Sequence, residues 1–249
     1  MMNNMTDTVK QLLIINVLFF IGSYFVPQAN ELLSLHYFES DGFKFWQPIT
    51  HMFMHGGLMH IFFNMFALVS FGSALEQMWG AKKFLFFYFS CGIGAALVHS
   101  GVNYYYFHDG LNLLVDNGIQ KSEIMSTLSQ GMYNKSWEEI IPVSSVKNMI
   151  EAYAGAAVGA SGAIYGLLVA FAFMFPNAEL ALMFIPVPVK AKYFVPVIVL
   201  LDLFSGVTGY SLFGSGNIAH FAHVGGALIG FIMMWFWKKN QFNKNRWDR

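Results

Sequence analysis

Apolar residues along this chain gather in long runs that are nearly free of charge and separated by short polar segments. Six of these runs approach the roughly 20 apolar residues that a helix needs to cross a bilayer. They lie at about 11–26, 58–75, 84–102, 154–175, 193–207 and 218–237. The second run contains Asn64 and the fifth contains Asp202. The pattern predicts an all-α, polytopic membrane protein: six spans forming one bundle over residues 1–249, with no internal repeat and no second domain. The stretch at about 103–151 differs in character, being polar and long for a connection. Within it, Ile124, Met125 and Leu128, then Trp137, Ile140 and Ile141, are spaced as in short amphipathic helices. It is expected to be an extracytoplasmic insertion that caps the outer membrane surface. A gate or docking surface for substrate is the sharper alternative.

Composition agrees. The chain is 56% hydrophobic and only 11% charged, far below the quarter or so found in soluble domains, so it can cover its surface in lipid contacts but not in charge. A net charge of zero gives no case for nucleic acid as a partner. The single cysteine, Cys91, cannot form an internal disulfide. The first apolar run lacks a small-residue cleavage site after it, so a retained helix is expected rather than a signal peptide.

Lys and Arg collect on the cytoplasmic side of membrane proteins. With six spans and a cytoplasmic N-terminus, Lys10, Lys82, Lys83, Lys190, Lys192, Lys238, Lys239, Lys244, Arg246 and Arg249 fall inside. Lys44, Lys121, Lys135 and Lys147 fall outside, and three of these four lie in the long 103–151 segment, where the rule is weak. Both termini are therefore expected in the cytoplasm.

Polar groups inside a bilayer are costly, so they are candidates for function. His60 and Asn64 are four apart and share a helix face. They either satisfy each other or a loop carbonyl, or aim two donors at a developing negative charge; spacing does not choose. His51 and His55 precede them. On the fourth run, Gly155, Gly159, Gly162 and Gly166 draw a stripe of small residues that lets backbones approach. Ser161 sits among these glycines, and Tyr165 follows it by one turn. On the sixth run, His220 is followed by His223, Gly226 and Gly230, a second stripe with a histidine at its head. If the two stripes meet, His223 comes within hydrogen-bond reach of Ser161, as a nucleophile and its base require. Ser161, His60 and His223 each fall near the outer end of their spans, so three spans bring polar groups to one depth. Asp202 counts out nearer the middle of its span than His223, so it is expected to make a structural hydrogen bond rather than to touch the histidine.

These motifs, in this order on these spans, resemble the rhomboid intramembrane proteases over nearly the whole chain. Residues 45–64, ending in His60 and Asn64, look like the family's H-x-x-x-N region and its lead-in. Gly159-Ala160-Ser161-Gly162 matches its G-x-S-G, and Ala222-His223 through Gly226 and Gly230 matches its A-H-x-x-G-x-x-x-G. The resemblance implies Ser161 as nucleophile, His223 as base in a dyad that needs no acid, and an oxyanion hole of His60, Asn64 and the Ser161 amide. It also implies that Tyr165 packs on His223, and that Glu76 and Gly80 form a turn at the cytoplasmic end of the second span. The family cuts transmembrane proteins near the outer end of their spans, at small residues and without a cofactor. The expected partners are transmembrane substrates and lipids, and the expected location is a bacterial plasma membrane. Two features depart from the family: Gln47 follows Trp46 where it often has Arg, and the first outer loop is short.

Two readings compete. A catalytically inactive relative that binds membrane proteins would be marked by loss of Ser161 or His223, and both are present. A metal site could draw on His51, His55, His60, His220 and His223, but the chain has no H-E-x-x-H, and no intramembrane Asp or Glu pairs with these histidines in sequence. No metal is expected.

The orientation predicts a labelling pattern. Cysteines introduced at Asn3 and Asn245 are expected to be shielded from an impermeant thiol reagent in intact cells, and one at Gly131 to react. Reaction at 245 without reaction at 131 would invert the topology.

Overall fold

The computed structural model describes residues 5–182, 185–210 and 219–244. The predicted start of the sixth span at 218, Arg246 and Arg249 of the charge count, and the reporter positions 3 and 245 lie outside the described residues. The protein is an all-α polytopic bundle. Among the described residues, five helical stretches are long and apolar enough to cross a membrane: Asp7–Phe25 (α1), Leu58–Trp79, Ala81–Asp116 (α6), Ala191–Thr208 (α11) and His220–Lys238, the apolar part of α12 (His220–Lys244). The Leu58–Trp79 stretch is α4 (Leu58–Ala67), a π-helical turn at Leu68–Gly72, and α5 (Ser73–Trp79).

The fourth run differs from its sequence reading. Its helix, α10 (Ser161–Met174), begins at Ser161 rather than near 154, and has 14 residues. At 1.5 Å per residue it is about 21 Å long, short of the roughly 30 Å of hydrocarbon. It can be short because it hardly meets lipid. Gly162, Ala163, Ile164, Gly166, Leu167, Leu168, Val169 and Ala170 are all buried, packed chiefly against α12 and α6.

The third run differs in the other direction. It does not end near 102: α6 continues to Asp116, 36 residues or about 54 Å, so its last turns stand clear of the hydrocarbon. The 103–151 segment therefore begins as helix, then folds into α7 (Lys121–Ser129), α8 (Trp137–Ile140) and α9 (Val143–Ala154). These pack back on the α6 extension around a second apolar core that includes Phe107, Leu111, Leu114, Ile124, Leu128, Trp137 and Met149. Trp137 is 1% exposed and Ile124 is 0%, so these amphipathic faces turn toward each other rather than toward a membrane surface.

Two polar devices hold the ends of the bundle. At one end, the buried Glu76 carboxylate accepts from the Thr6 hydroxyl and from the amides of Thr8 (3.3 Å) and Val9 (3.1 Å). These are first-turn donors of α1 that have no acceptor within their own helix, and a negative charge there also suits the helix dipole. Gly80 then makes the turn between α5 and α6. At the other end, α2 (Gln28–Leu33), the two-residue strand β1 (Leu35–His36) and α3 (Gln47–Thr50), followed by a 3-10 turn at His51–Phe53, form a compact outer loop. Gln47, where the resembled family often has Arg, is fully buried rather than facing lipid. Its Nε2 donates to the Gly42 carbonyl (2.9 Å), and its Oε1 accepts from the His36 amide (3.1 Å).

Glycine sets the spacing at the centre. A Cβ on Gly226 of α12 would lie 1.8 Å from the carbonyl oxygen of Gly162 on α10, and one on Gly230 would lie 2.8 Å from Gly166 Cα. Here one backbone lies on another, as in close-packed membrane helices. Gly226→Val is expected to push α12 away from α10, with activity falling at least as much as thermal stability. Unchanged activity in that variant would show that the two helices need not meet there.

Candidate active site

Ser161 is the first residue of α10, so its amide is one of the helix's unpaired donors. The segment leading to it is extended: β2 (Ala156–Ala157) pairs antiparallel with β1, Leu35 opposite Ala157 and His36 opposite Ala156. The Gly159 amide then donates to the His51 carbonyl at 2.9 Å, tying this approach to the loop before α4. Gly155 and Gly159 thus lie outside the helical stripe expected of them; only Gly162 and Gly166 belong to it. Gly159 has a different task. Its φ is +122°, and a Cβ there would lie 2.8 Å from His60 Nε2 and 3.5 Å from Ser161 Oγ. A side chain would occupy the space between those two groups.

Across the glycine contact, α12 brings His223 Nε2 to 2.8 Å from Ser161 Oγ. The Tyr165 ring stacks on the His223 ring, with centroids 4.4 Å apart and planes 10° from parallel. On α4, His60 and Asn64 are not bonded to each other among the described contacts. The Gly56 amide donates to His60 Nδ1 at 3.4 Å, which makes Nδ1 the acceptor and leaves the proton on Nε2, the atom that faces Gly159. Asn64 is 5% exposed, and its buried Nδ2 has no hydrogen-bond partner among the described residues. The structure therefore gathers Ser161, His223, Tyr165, Gly159 and His60 around one point, with Asn64 one turn below His60 on α4.

His51 and His55 stand behind this group. His51 Nδ1 is bonded to the Gln47 carbonyl at 2.8 Å. The His55 ring lies edge-on to His60 with centroids 5.1 Å apart. Burial pushes both imidazoles down to about 4, so both are neutral donors or acceptors rather than charges.

The sequence reading of Asp202 is corrected. Asp202 Oδ1 lies 3.2 Å from His223 Nδ1 and 2.5 Å from His220 Nδ1, and Oδ2 accepts from the Tyr165 hydroxyl. Counting depth from helix ends assumed that α11 and α12 end at one level. Packing sets the register instead: a Cβ on Gly206 would lie 3.1 Å from the Phe221 ring and 3.3 Å from His220 Cβ. One turn inward from those residues, Asp202 and His223 come level. An intramembrane acid does pair with two of the histidines. Among the described residues, Asp202, His220 and His223 are also the one group of three His, Cys, Asp or Glu whose ligand atoms could share a metal ion. His220 carried a signal that went unused: its place three residues before His223, on the same helix face.

Chemically, the cluster pairs a hydroxyl with an imidazole acceptor on one side and unpaired donors on the other. Comparison with known proteins gives the family. A family model described as a Rhomboid domain matches residues 42–113 and 139–240. An uncharacterized mitochondrial rhomboid protein of Schizosaccharomyces pombe is 25% identical over 208 residues, 79% of this chain and 52% of that protein. The mitochondrial Rhomboid protein 1 of Saccharomyces cerevisiae is 27% identical over 191 residues, 77% of this chain and 41% of that one. The rhomboid protease GluP of Bacillus subtilis is 37% identical over 54 residues, 22% of this chain and 11% of that protein. The chain thus spans about half or less of the length of the relatives it matches. The apolar helices establish an integral membrane protein, and the two yeast relatives are named as mitochondrial, so the expected bacterial compartment is not supported. Both matched segments of the family model carry the residues gathered at the site, the first His60 and Asn64, the second Ser161, Asp202 and His223, and the chain belongs to the rhomboid family.

Proposed function

We propose that this protein is an intramembrane serine endopeptidase that hydrolyses peptide bonds of transmembrane proteins near the extracytoplasmic face of the membrane. The observation that carries this reading is the 2.8 Å contact between Ser161 Oγ and His223 Nε2. It lies beside unpaired donors in an otherwise apolar bundle, where polar groups without a task are disfavoured.

In this mechanism Ser161 Oγ attacks the scissile carbonyl carbon while its proton passes to His223 Nε2. The carbonyl oxygen becomes an oxyanion, held by the Ser161 amide, His60 Nε2–H and Asn64 Nδ2–H. The Ser161 amide also stands at the positive end of the α10 dipole. The tetrahedral intermediate collapses as His223 gives its proton to the leaving amine. Water, activated by the same imidazole, then hydrolyses the acyl ester and restores Ser161. No cofactor enters the cycle. The name of the Bacillus subtilis relative as a protease supports the reaction class. The distribution of Lys and Arg supports both termini on the cytoplasmic side, with the site opening to the opposite face.

In proteoliposomes, Ser161→Ala and His223→Ala are each expected to abolish cleavage of a single-span substrate and labelling by a fluorophosphonate while the protein stays folded. Asn64→Ala is expected to slow acylation by roughly 10²–10³-fold, the usual loss when one oxyanion donor is removed. A wild-type protein that is folded yet neither labels nor cleaves would leave the inactive, binding-only reading in its place. Cleavage by Ser161→Ala at the wild-type rate would remove Ser161 from the mechanism.

A further inference from the structure

We propose that Asp202 is a positioning residue for this reaction, holding His223 in the tautomer and orientation that lets Nε2 take the Ser161 proton. The inference rests on the protease reading above and adds a role that a dyad leaves empty.

The carboxylate holds His223 in two ways. Oδ1 accepts from Nδ1 directly at 3.2 Å. Oδ2 accepts from the Tyr165 hydroxyl, and the Tyr165 ring lies flat on the imidazole, 4.4 Å away at 10°. One anion thus fixes an edge and a face of the same ring. An ionised carboxylate can only accept hydrogen bonds, so Nδ1 must carry the proton of a neutral His223. Nε2 is then left with a lone pair, 2.8 Å from Ser161 Oγ. Without that acceptor, the imidazole is free to carry its proton on Nε2, where it would donate to the hydroxyl and could not act as base. When Nε2 does take the proton, the positive charge that forms faces the carboxylate. In a water-poor site that attraction is stronger than in solution.

The hydrogen-bonded reading fits the distances better than a shared ion. His220 Nδ1 lies 2.5 Å from Asp202 Oδ1, the separation of a short N–H···O contact. Two ligands on one tetrahedral zinc, each about 2.0–2.2 Å from it, would sit about 3.3 Å or more apart. His220 therefore serves as a further donor to the carboxylate. Together with His223 and Tyr165, it supplies the three hydrogen bonds that an anion buried at 9% exposure requires.

The test uses the full chain in liposomes, measuring kcat and KM on a single-span peptide with small residues near its outer end, the acylation rate with a fluorophosphonate, and Tm. Asp202→Asn is expected to lower kcat and the acylation rate on the order of 10-fold or more, since the charge facing His223 is lost. KM and Tm are expected to stay near wild type. Asp202→Glu, which restores the charge, is expected to recover part of the rate. A merely structural role would lower Tm and leave the rate per folded molecule unchanged. If Asp202→Asn does not fold, Asp202→Ser is read in the same way. A folded Asp202→Asn with wild-type kcat, or a Glu variant no faster than Asn, overturns the proposal while leaving the protease reading standing. A wild type that neither labels at Ser161 nor cleaves overturns both.

Discussion

The contact on which the rest of this structure depends is backbone against backbone, at Gly226 on Gly162 and Gly230 on Gly166. Lipid tails are as apolar as the helices, so burial of apolar surface does not drive α10 and α12 together; close fit does. The fit has a chemical consequence. Ser161 precedes Gly162 on α10, and His223 is three residues before Gly226 on α12. The axial approach of the glycines therefore sets the distance between a hydroxyl and an imidazole. One added carbon at Gly226, 1.8 Å from the Gly162 carbonyl oxygen, would force the two helices apart.

The shortness of α10 follows from the same arrangement. A helix wrapped by α4, α6, α11 and α12 has little lipid to match in length, so it can begin well inside the bundle. Its first turn then presents unpaired amides at depth, where in lipid they would be strongly disfavoured. The outer loop covers that end: β1 pairs with β2, and the Gly159 amide bonds to the His51 carbonyl. Gln47, wired into the loop's own backbone, keeps this cover in shape. A helix N-terminus inside a membrane, roofed by polar loops, is the arrangement that the proposed oxyanion site requires.

Much of this was legible in the sequence because the signals are local. Long uncharged runs give spans, and spacings of three and four give helix faces; Gly162, Gly166, Gly226 and Gly230 lie where those spacings put them. The meeting of the two stripes, with His223 at Ser161, was legible too; what failed was long-range pairing, the packing of the insertion and the register of α11 on α12. Gly155 and Gly159 continue the arithmetic of the stripe, yet the chain there is extended, because β2 pairs with a strand more than a hundred residues away. The α6 extension reads as loop because its outer half is polar, yet Phe107, Leu111 and Leu114 lie along one side of it and meet Trp137 and Met149. Asp202 was misplaced because depth was counted from the ends of α11 and α12, while Gly206 against His220 and Phe221 fixes their register.

The two halves of the site differ in how completely their hydrogen bonds are made, and that difference is informative. On the His223 side every strong group is matched: three donors meet the Asp202 carboxylate, and the far nitrogen of His223 meets Ser161. On the α4 side they are not. Asn64 Nδ2 is buried with no hydrogen-bond partner among the described residues. Leaving a buried donor unmatched costs about 1–3 kcal/mol, and few native groups are left so without a reason. A fully matched half holds its geometry before a ligand arrives, as a base must. An unmatched half beside it is complementary to an acceptor that the resting protein does not contain. In the proposed mechanism a carbonyl oxygen gaining negative charge would match it, so the unmatched Asn64 donor on α4 would be relieved in the transition state.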